Sequence, residues 1–171
     1  MTRWFRAAMD ALYLACVLLA GAALVLISFI VPWGVFTRYG LNSASSWPEP
    51  AAILLSIVLT FFGAAACYRA GVHMRVSFVR DRFPAAIGWL ADRAADLLML
   101  LVGGFMTLHG AGLCETTWNQ SIAEFPALSV GVTYLPIPLG GVCLILFVLE
   151  RMLIGSPADT LGDPHGIVTT D

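Results

Sequence analysis

This chain contains no lysine, and charged residues of either sign are scarce, making up 12% of the sequence, about half the share usual in soluble domains. All nine basic residues are arginines, and they form no dense patch of the kind that binds nucleic acid. Apolar residues account for 59% of the 171 positions, more than a soluble domain of this size can bury. We therefore expect a protein whose solvent is lipid, with membrane phospholipids and no nucleic acid among its partners.

Motifs for catalysis and metal binding are also missing. The four cysteines are far apart in the sequence, so none forms the C-x-x-C spacing of a zinc or redox site. No phosphate-binding loop, nucleophile elbow or H-E-x-x-H pattern occurs. We expect neither an enzyme nor a bound cofactor or metal in this chain, and we expect each cysteine to be a small buried hydrophobe.

Four apolar stretches are close to the ~20 residues that a helix needs to cross ~30 Å of hydrocarbon. They cover residues 12–35, 50–66, 97–113 and 130–153. Backbone amides cannot stay unpaired in lipid, so such segments form helices, and the alternating pattern of a membrane β-barrel does not appear. The sequence predicts an all-α, integral membrane four-helix domain over 1–154, followed by a disordered tail over 155–171.

The arginines indicate how these spans are oriented. With four crossings, eight of the nine fall on one side of the membrane, and only Arg38 falls on the other. The eight are Arg3, Arg6, Arg69, Arg75, Arg80, Arg82, Arg93 and Arg151. The positive-inside rule then predicts that both termini are cytoplasmic. Residues 74–83 alternate arginines with apolar residues, which predicts a short amphipathic helix lying in the inner interface.

Small residues spaced four apart predict where helices approach closely in lipid. Two such rows occur: Ala52, Ser56, Thr60 and Ala64 in the second span, and Gly103, Thr107 and Ala111 in the third. Asp96 shares a helical face with Gly103, so we expect its carboxylate to point toward protein. The pattern leaves open whether the partner helices belong to this chain or to another.

Ionisable residues in or near the spans are the candidates for chemistry. His73 lies in a connection and His109 about 18 Å up the third span, so the two cannot straddle one haem iron. Asp92 and Asp96 lie at the predicted inner boundary, where pairing with an arginine is favoured over ion transport. No span has a charge at its centre or a broken middle, so we expect this chain alone not to move a solute.

The connection between the first two spans is the most distinctive region. Arg38 and Glu49 can pair across this turn, and Asn42 can bond freed backbone groups where a helix starts; a solvated loop with chance charges is the alternative. Trp47 lies at the predicted outer interface.

These residues, together with a run further along, resemble a known family. The run is GAAACYRAGVHMRV at 63–76, which contains Arg69 and His73, and a P-x-P-x-G motif opens the last span at 136–140. The chain resembles the DctQ family, the small permease subunit of tripartite ATP-independent periplasmic (TRAP) transporters. That family shows W-x-x-E at the start of span two, whereas Pro50 stands at the final position here and Glu49 precedes it.

The resemblance implies a scaffold subunit in the bacterial inner membrane. It would pack against a large TRAP permease subunit that holds the substrate and sodium sites and moves as an elevator, while a periplasmic binding protein delivers an organic acid. The residues expected at the partner interface or in structural roles are Arg38, Asn42, Trp47, Glu49, Arg69, His73 and Asp96. The alternatives are a membrane anchor of a redox complex and a small autonomous channel or carrier.

Overall fold

The computed structural model describes residues 2–43, 45–71, 85–126 and 128–154, leaving aside the side chains of 2, 3, 85–89, 92 and 154. The helices are α1 (Thr2–Tyr39), α2 (Pro48–Arg69), α3 (Ala85–Thr117), α4 (Val130–Tyr134) and α5 (Pro136–Ile154). Within these ranges the one β-type pairing is an isolated bridge between Ser121 and Ser129, so the fold is all-α, as predicted. His73, the amphipathic segment at 74–83 and the tail at 155–171 lie outside the described residues.

Four helical segments are long and apolar enough to cross a membrane. They are Trp4–Tyr39, Pro48–Arg69, Arg93–Thr117 and Val130–Leu153, and each predicted span lies inside one of them. The fourth combines α4 and α5, which meet at Leu135 because Pro136 has no backbone N–H to continue the helical hydrogen bonds. Which side of the membrane the termini occupy stays a prediction.

The first helix is longer than a perpendicular crossing needs. Its 38 residues extend about 57 Å, against ~30 Å of hydrocarbon. α1 therefore tilts or projects beyond the apolar layer, and its first turns carry the strongly exposed Trp4, a residue type that favours the interface.

The helices pack as a curved row. α1 packs along α2, α2 along α5, and α5 along α3, so α1 and α3 are the two ends of the row in the described part of the chain. Cys16 of α1 and Cys143 of α5 are both buried in the same hydrophobic cluster. Because α5 has neighbours on both sides, it supplies Phe147 and Val148, which are almost completely buried.

Close backbone contact holds α3 to α5. A Cβ added to Gly141 would lie 2.7 Å from Thr107 Oγ1 and 2.9 Å from the Gly103 carbonyl oxygen. The predicted row of small residues in the third span therefore does mediate packing at its first two positions. Its third position, Ala111, is exposed in this chain, and the close contact with α5 is made instead by Gly110 against Pro138. The 3.6-residue turn moves each fourth residue round the helix, so a strict four-residue row drifts off the interface.

The row of small residues in the second span behaves differently. Ser56, Thr60 and Ala64 are all exposed, and the Ser56 and Thr60 hydroxyls donate to carbonyl oxygens one turn back in their own helix. α2 contacts its neighbours through its opposite side, where Phe62 and Ala65 are buried. This face of α2 is thus not covered by the described part of the chain.

The cysteines only partly follow the expectation of burial. Cys16, Cys114 and Cys143 are buried, whereas Cys67 is exposed. That prediction is wrong for Cys67, because it continues the exposed side of α2 on which Ser56 and Thr60 lie.

Candidate functional site

A cluster of charged side chains joins the helices at the arginine-rich end. Arg69, the last residue of α2, donates from Nε to Glu150 Oε2 at 2.7 Å and from Nη2 to Glu150 Oε1 at 2.9 Å. Nη2 also donates to Asp10 Oδ1 at 2.6 Å. The planar guanidinium suits this arrangement because its fixed donors engage a carboxylate with two parallel bonds and still reach a second acid. One side chain thereby ties α2 to both α5 and α1.

Aromatic rings surround this guanidinium. The Arg69 Cζ atom lies 5.3 Å from the centroid of the Tyr13 ring and 5.5 Å from that of Phe147, within the range of cation–π attraction. The side chains of Arg69 and Glu150 are 8% and 4% exposed. The pair is therefore largely removed from water, where an unpaired charge is costly.

A second group of side chains brings in α3. Asp96 accepts a hydrogen bond from the Tyr68 hydroxyl at 2.8 Å and lies 3.3 Å from Nη1 of Arg151. The Arg151 guanidinium in turn lies 5.7 Å from the Tyr68 ring centroid. Asp96 does point toward protein, as predicted. Among the described residues, Tyr68 of α2 and Arg151 of α5 are partners of Asp96.

Adjacent residues supply both groups. Tyr68 and Arg69 end α2, and Glu150 and Arg151 approach the end of α5; because consecutive helical residues differ by about 100°, each pair faces two neighbouring helices at once. We call the whole set the ionic clamp. It consists of Asp10, Tyr68, Arg69, Asp96, Glu150 and Arg151.

The clamp is chemically saturated. In the described chain, no buried side-chain nitrogen or oxygen lacks a hydrogen-bond partner, and no set of three or more histidine, cysteine or acidic residues is arranged to hold a metal ion. Its three carboxylates and two guanidinium groups leave one net negative charge, with Asp10 the solvated member at 69% exposure. This arrangement suits structural pairing better than proton or cation transfer, which needs an acid free to exchange its partner.

The predicted outer residues do not form the expected brace. Arg38 and Glu49 are both exposed, and among the ion pairs of the described residues none joins them. Both instead line a cleft between α1 and α2. The interpretation of an Arg38–Glu49 pair is wrong because the two side chains lie on opposite walls of that cleft.

Asn42 and Trp47 shape the turn in a way that differs from the prediction. α2 begins at Pro48 with Trp47 as its N-cap, and no side-chain hydrogen bond caps it. Asn42 lies earlier in the turn with a φ of 50°, in the left-handed region that asparagine tolerates better than most residues. Its contribution is backbone conformation, and the expectation that it bonds a helix start is wrong.

His109 has no clustered partner among the described residues. It is exposed on α3, its Nδ1 lies 3.2 Å from the Phe105 carbonyl oxygen, and its ring stacks on Phe105 at 4.1 Å. The helix therefore accommodates it locally.

Four members of the clamp escaped the sequence reasoning: Asp10, Tyr68, Glu150 and Arg151. Arg151 was counted only for sidedness, and Glu150 was not considered. A signal was available, since an acid or arginine occurs at the same end of all four spans. When the four spans are aligned by their depth in the membrane, these oppositely charged residues lie at the same level.

Comparison with known proteins agrees with this architecture. Residues 27–155 match the family described as tripartite ATP-independent periplasmic transporters, DctQ component. A TRAP transporter small permease protein of Haemophilus influenzae, whose assignment is provisional, is 25% identical over 134 residues, covering 76% of this chain and 80% of the relative. A sialic acid TRAP transporter small permease protein of Vibrio cholerae is 24% identical over 125 residues, covering 72% and 70%.

The matched region spans α2, α3, α4 and α5 and the outer part of α1. It therefore includes all of the clamp except Asp10. The relatives are transporter components, not enzymes, and with four apolar helices the chain is a multi-pass protein of the inner membrane. The chain belongs to the DctQ family, the small permease components of TRAP transporters.

Proposed function

We propose that this chain is a scaffold subunit that does not itself translocate solute. It packs against a large permease subunit, which carries the substrate and sodium sites and moves as an elevator. A periplasmic binding protein delivers an organic acid to that subunit. The observation that carries this proposal is the combination of a saturated ionic clamp at one end with long, uncovered apolar helices elsewhere.

The clamp supports a static role. It ties all four spans at one end through groups that are buried or paired, and breaking such contacts is costly. A subunit that changed shape at this end during transport would need to break these contacts. The four spans therefore fit a rigid support better than a moving element.

The exposed surface supports packing against another membrane protein. Between 17% and 33% of each apolar span is buried within the chain, because a row covers its helices less than a closed bundle does. On α2 the exposed face is built from Ser56, Thr60 and Ala64, which are small enough for a foreign helix to approach closely. The Ser56 and Thr60 hydroxyls already donate hydrogen bonds to carbonyl oxygens of their own helix. Either lipid or protein can therefore cover this face.

Co-purification tests the proposal. A tagged copy of this chain, extracted from its native membrane in mild detergent, should recover a larger multi-spanning protein. Thr60→Trp should reduce that recovery, because a bulky ring blocks close approach at α2. The matched control is Leu101→Trp, on the exposed side of α3 at the end of the row.

Reconstitution supplies an independent test. Liposomes containing this chain alone should show no saturable uptake of organic acids, whereas liposomes that also contain the large subunit and the binding protein should show sodium-dependent uptake. Solute flux through this chain alone, or failure to recover any larger permease, would refute the scaffold role.

A further inference from the structure

The cleft between α1 and α2 lies at the end opposite the clamp. Its volume is about 380 Å³, within the range of small-ligand sites. Along α1 the lining extends from Ile27 to Arg38, about 16 Å of helix rise. The cleft is therefore elongated along the two helices.

Polar groups are concentrated at one end of this cleft. Ile27, Val31 and Ile53 line the part further from the α1–α2 turn, whereas Arg38 and Glu49 line the part next to that turn, which we call the mouth. This end is at the headgroup level, since the exposed Trp47 directly precedes the lining residue Pro48 and tryptophan favours that layer. An occupant must be apolar over most of its length and polar at one end, which is the pattern of a lipid.

The charges at the mouth restrict the headgroup. Arg38 is cationic and Glu49 anionic, and no ion pair joins them across the cleft in the described structure. A guanidinium binds a phosphate through several parallel hydrogen bonds, and a carboxylate accepts hydrogen bonds from a primary ammonium. Phosphoethanolamine carries both groups, two carbons apart.

We propose that this cleft binds one molecule of phosphatidylethanolamine from the membrane. Arg38 holds the phosphate, Glu49 holds the ammonium, and one acyl chain lies along the groove above Ala52. Phosphatidylcholine satisfies Arg38 but has no N–H to donate to Glu49. Phosphatidylglycerol has no cation for Glu49.

Native mass spectrometry of the detergent-purified full-length chain tests this proposal. The chain is titrated with phosphatidylethanolamine, phosphatidylcholine and phosphatidylglycerol that carry identical acyl chains. We expect phosphatidylethanolamine to bind about tenfold more tightly than the other two, equivalent to about 1.4 kcal/mol. Arg38→Ala should weaken its binding about tenfold. The isosteric Glu49→Gln removes the negative charge and leaves a weaker acceptor, so it should reduce the preference for phosphatidylethanolamine over phosphatidylcholine.

A variant that fills the cleft distinguishes a specific lipid-binding site from general contact with lipid. Ala52→Leu keeps both charges but occupies the floor, so the tightly bound lipid should be lost. Two controls keep the binding of the parent chain: Arg6→Ala, an exposed arginine at the other end of α1, and Glu115→Gln, an exposed acid on α3. Circular dichroism confirms that every variant retains its helices.

Three results would overturn the proposal. The first is equal binding of all three lipids to the parent chain. The second is selectivity that survives both Arg38→Ala and Glu49→Gln. The third is an Ala52→Leu variant that binds lipid normally but no longer recovers the large permease, which would assign the cleft to a protein partner.

Discussion

Replacing Arg69 by leucine would remove the guanidinium that neutralises Glu150. Both Glu150 carboxylate oxygens accept hydrogen bonds from Arg69, at 2.7 and 2.9 Å, and the Glu150 side chain is 4% exposed. Arg69→Leu therefore leaves a charge buried without its partner, which typically costs about 3–5 kcal/mol. Asp10 would be affected much less, because at 69% exposure water can replace the arginine.

Replacing both Arg69 and Glu150 should destabilise the chain less than replacing Arg69 alone. When both members of a buried ion pair are replaced by apolar residues of similar volume, stability is often unchanged or improved. The double variant Arg69→Leu/Glu150→Leu should therefore recover most of the loss of the single variant. Asp10→Asn should cost at most about 1 kcal/mol, the value of a solvated ion pair.

Unfolding in mixed micelles, followed by circular dichroism as the fraction of denaturing detergent rises, measures these differences. The parent chain and the three variants are compared in the same assay. Asp10 and Glu150 pair with the same arginine and differ mainly in burial. If Asp10→Asn and Arg69→Leu destabilised the chain equally, or if the double variant lost more stability than Arg69→Leu alone, burial of the Arg69–Glu150 pair would not be the source of the effect.

Three further outcomes are expected. Gly141→Leu should destabilise the chain by about 1–3 kcal/mol in the same assay, because its Cβ would meet Thr107 at 2.7 Å, whereas Gly104→Ala, with nothing within 4 Å, should cost little; equal losses would contradict the close contact of α3 with α5. A maleimide should label Cys67 several-fold faster than the three buried cysteines, and Cys67→Ser should remove the fast phase; fast labelling that persists would place another thiol at the surface. Single cysteines near each terminus should both be labelled from the cytoplasmic side only, and labelling from opposite sides would refute the four-span topology.

The position of the clamp explains how an open row can be rigid. α1 is held mainly by α2, and α3 mainly by α5, so two helical hairpins could otherwise pivot about the α2–α5 contact. Arg69 links α1 to this central contact through Asp10, and Arg151 links α3 to it through Asp96. Charge-assisted bonds at one end would oppose this pivoting motion more strongly than apolar packing, which is weakly directional, and they support the proposed static role.

Much of this architecture follows from local properties of the sequence. The number and extent of the spans depend on the length of each apolar stretch, because lipid cannot hydrogen-bond an exposed backbone. The inward direction of Asp96 follows from its helical position relative to Gly103. None of these inferences needs information about a second helix.

Other features depend on which helices become neighbours. Asp10, Arg69 and Glu150 are 59 and 81 residues apart along the chain, and no local pattern indicates that they share one cluster. The same information decides that Ser56 and Thr60 face outward while Gly103 faces α5, although both rows look alike in the sequence. Small residues allow another helix to approach closely. Only the order α1–α2–α5–α3 determines at which of the two rows a helix of this chain does so.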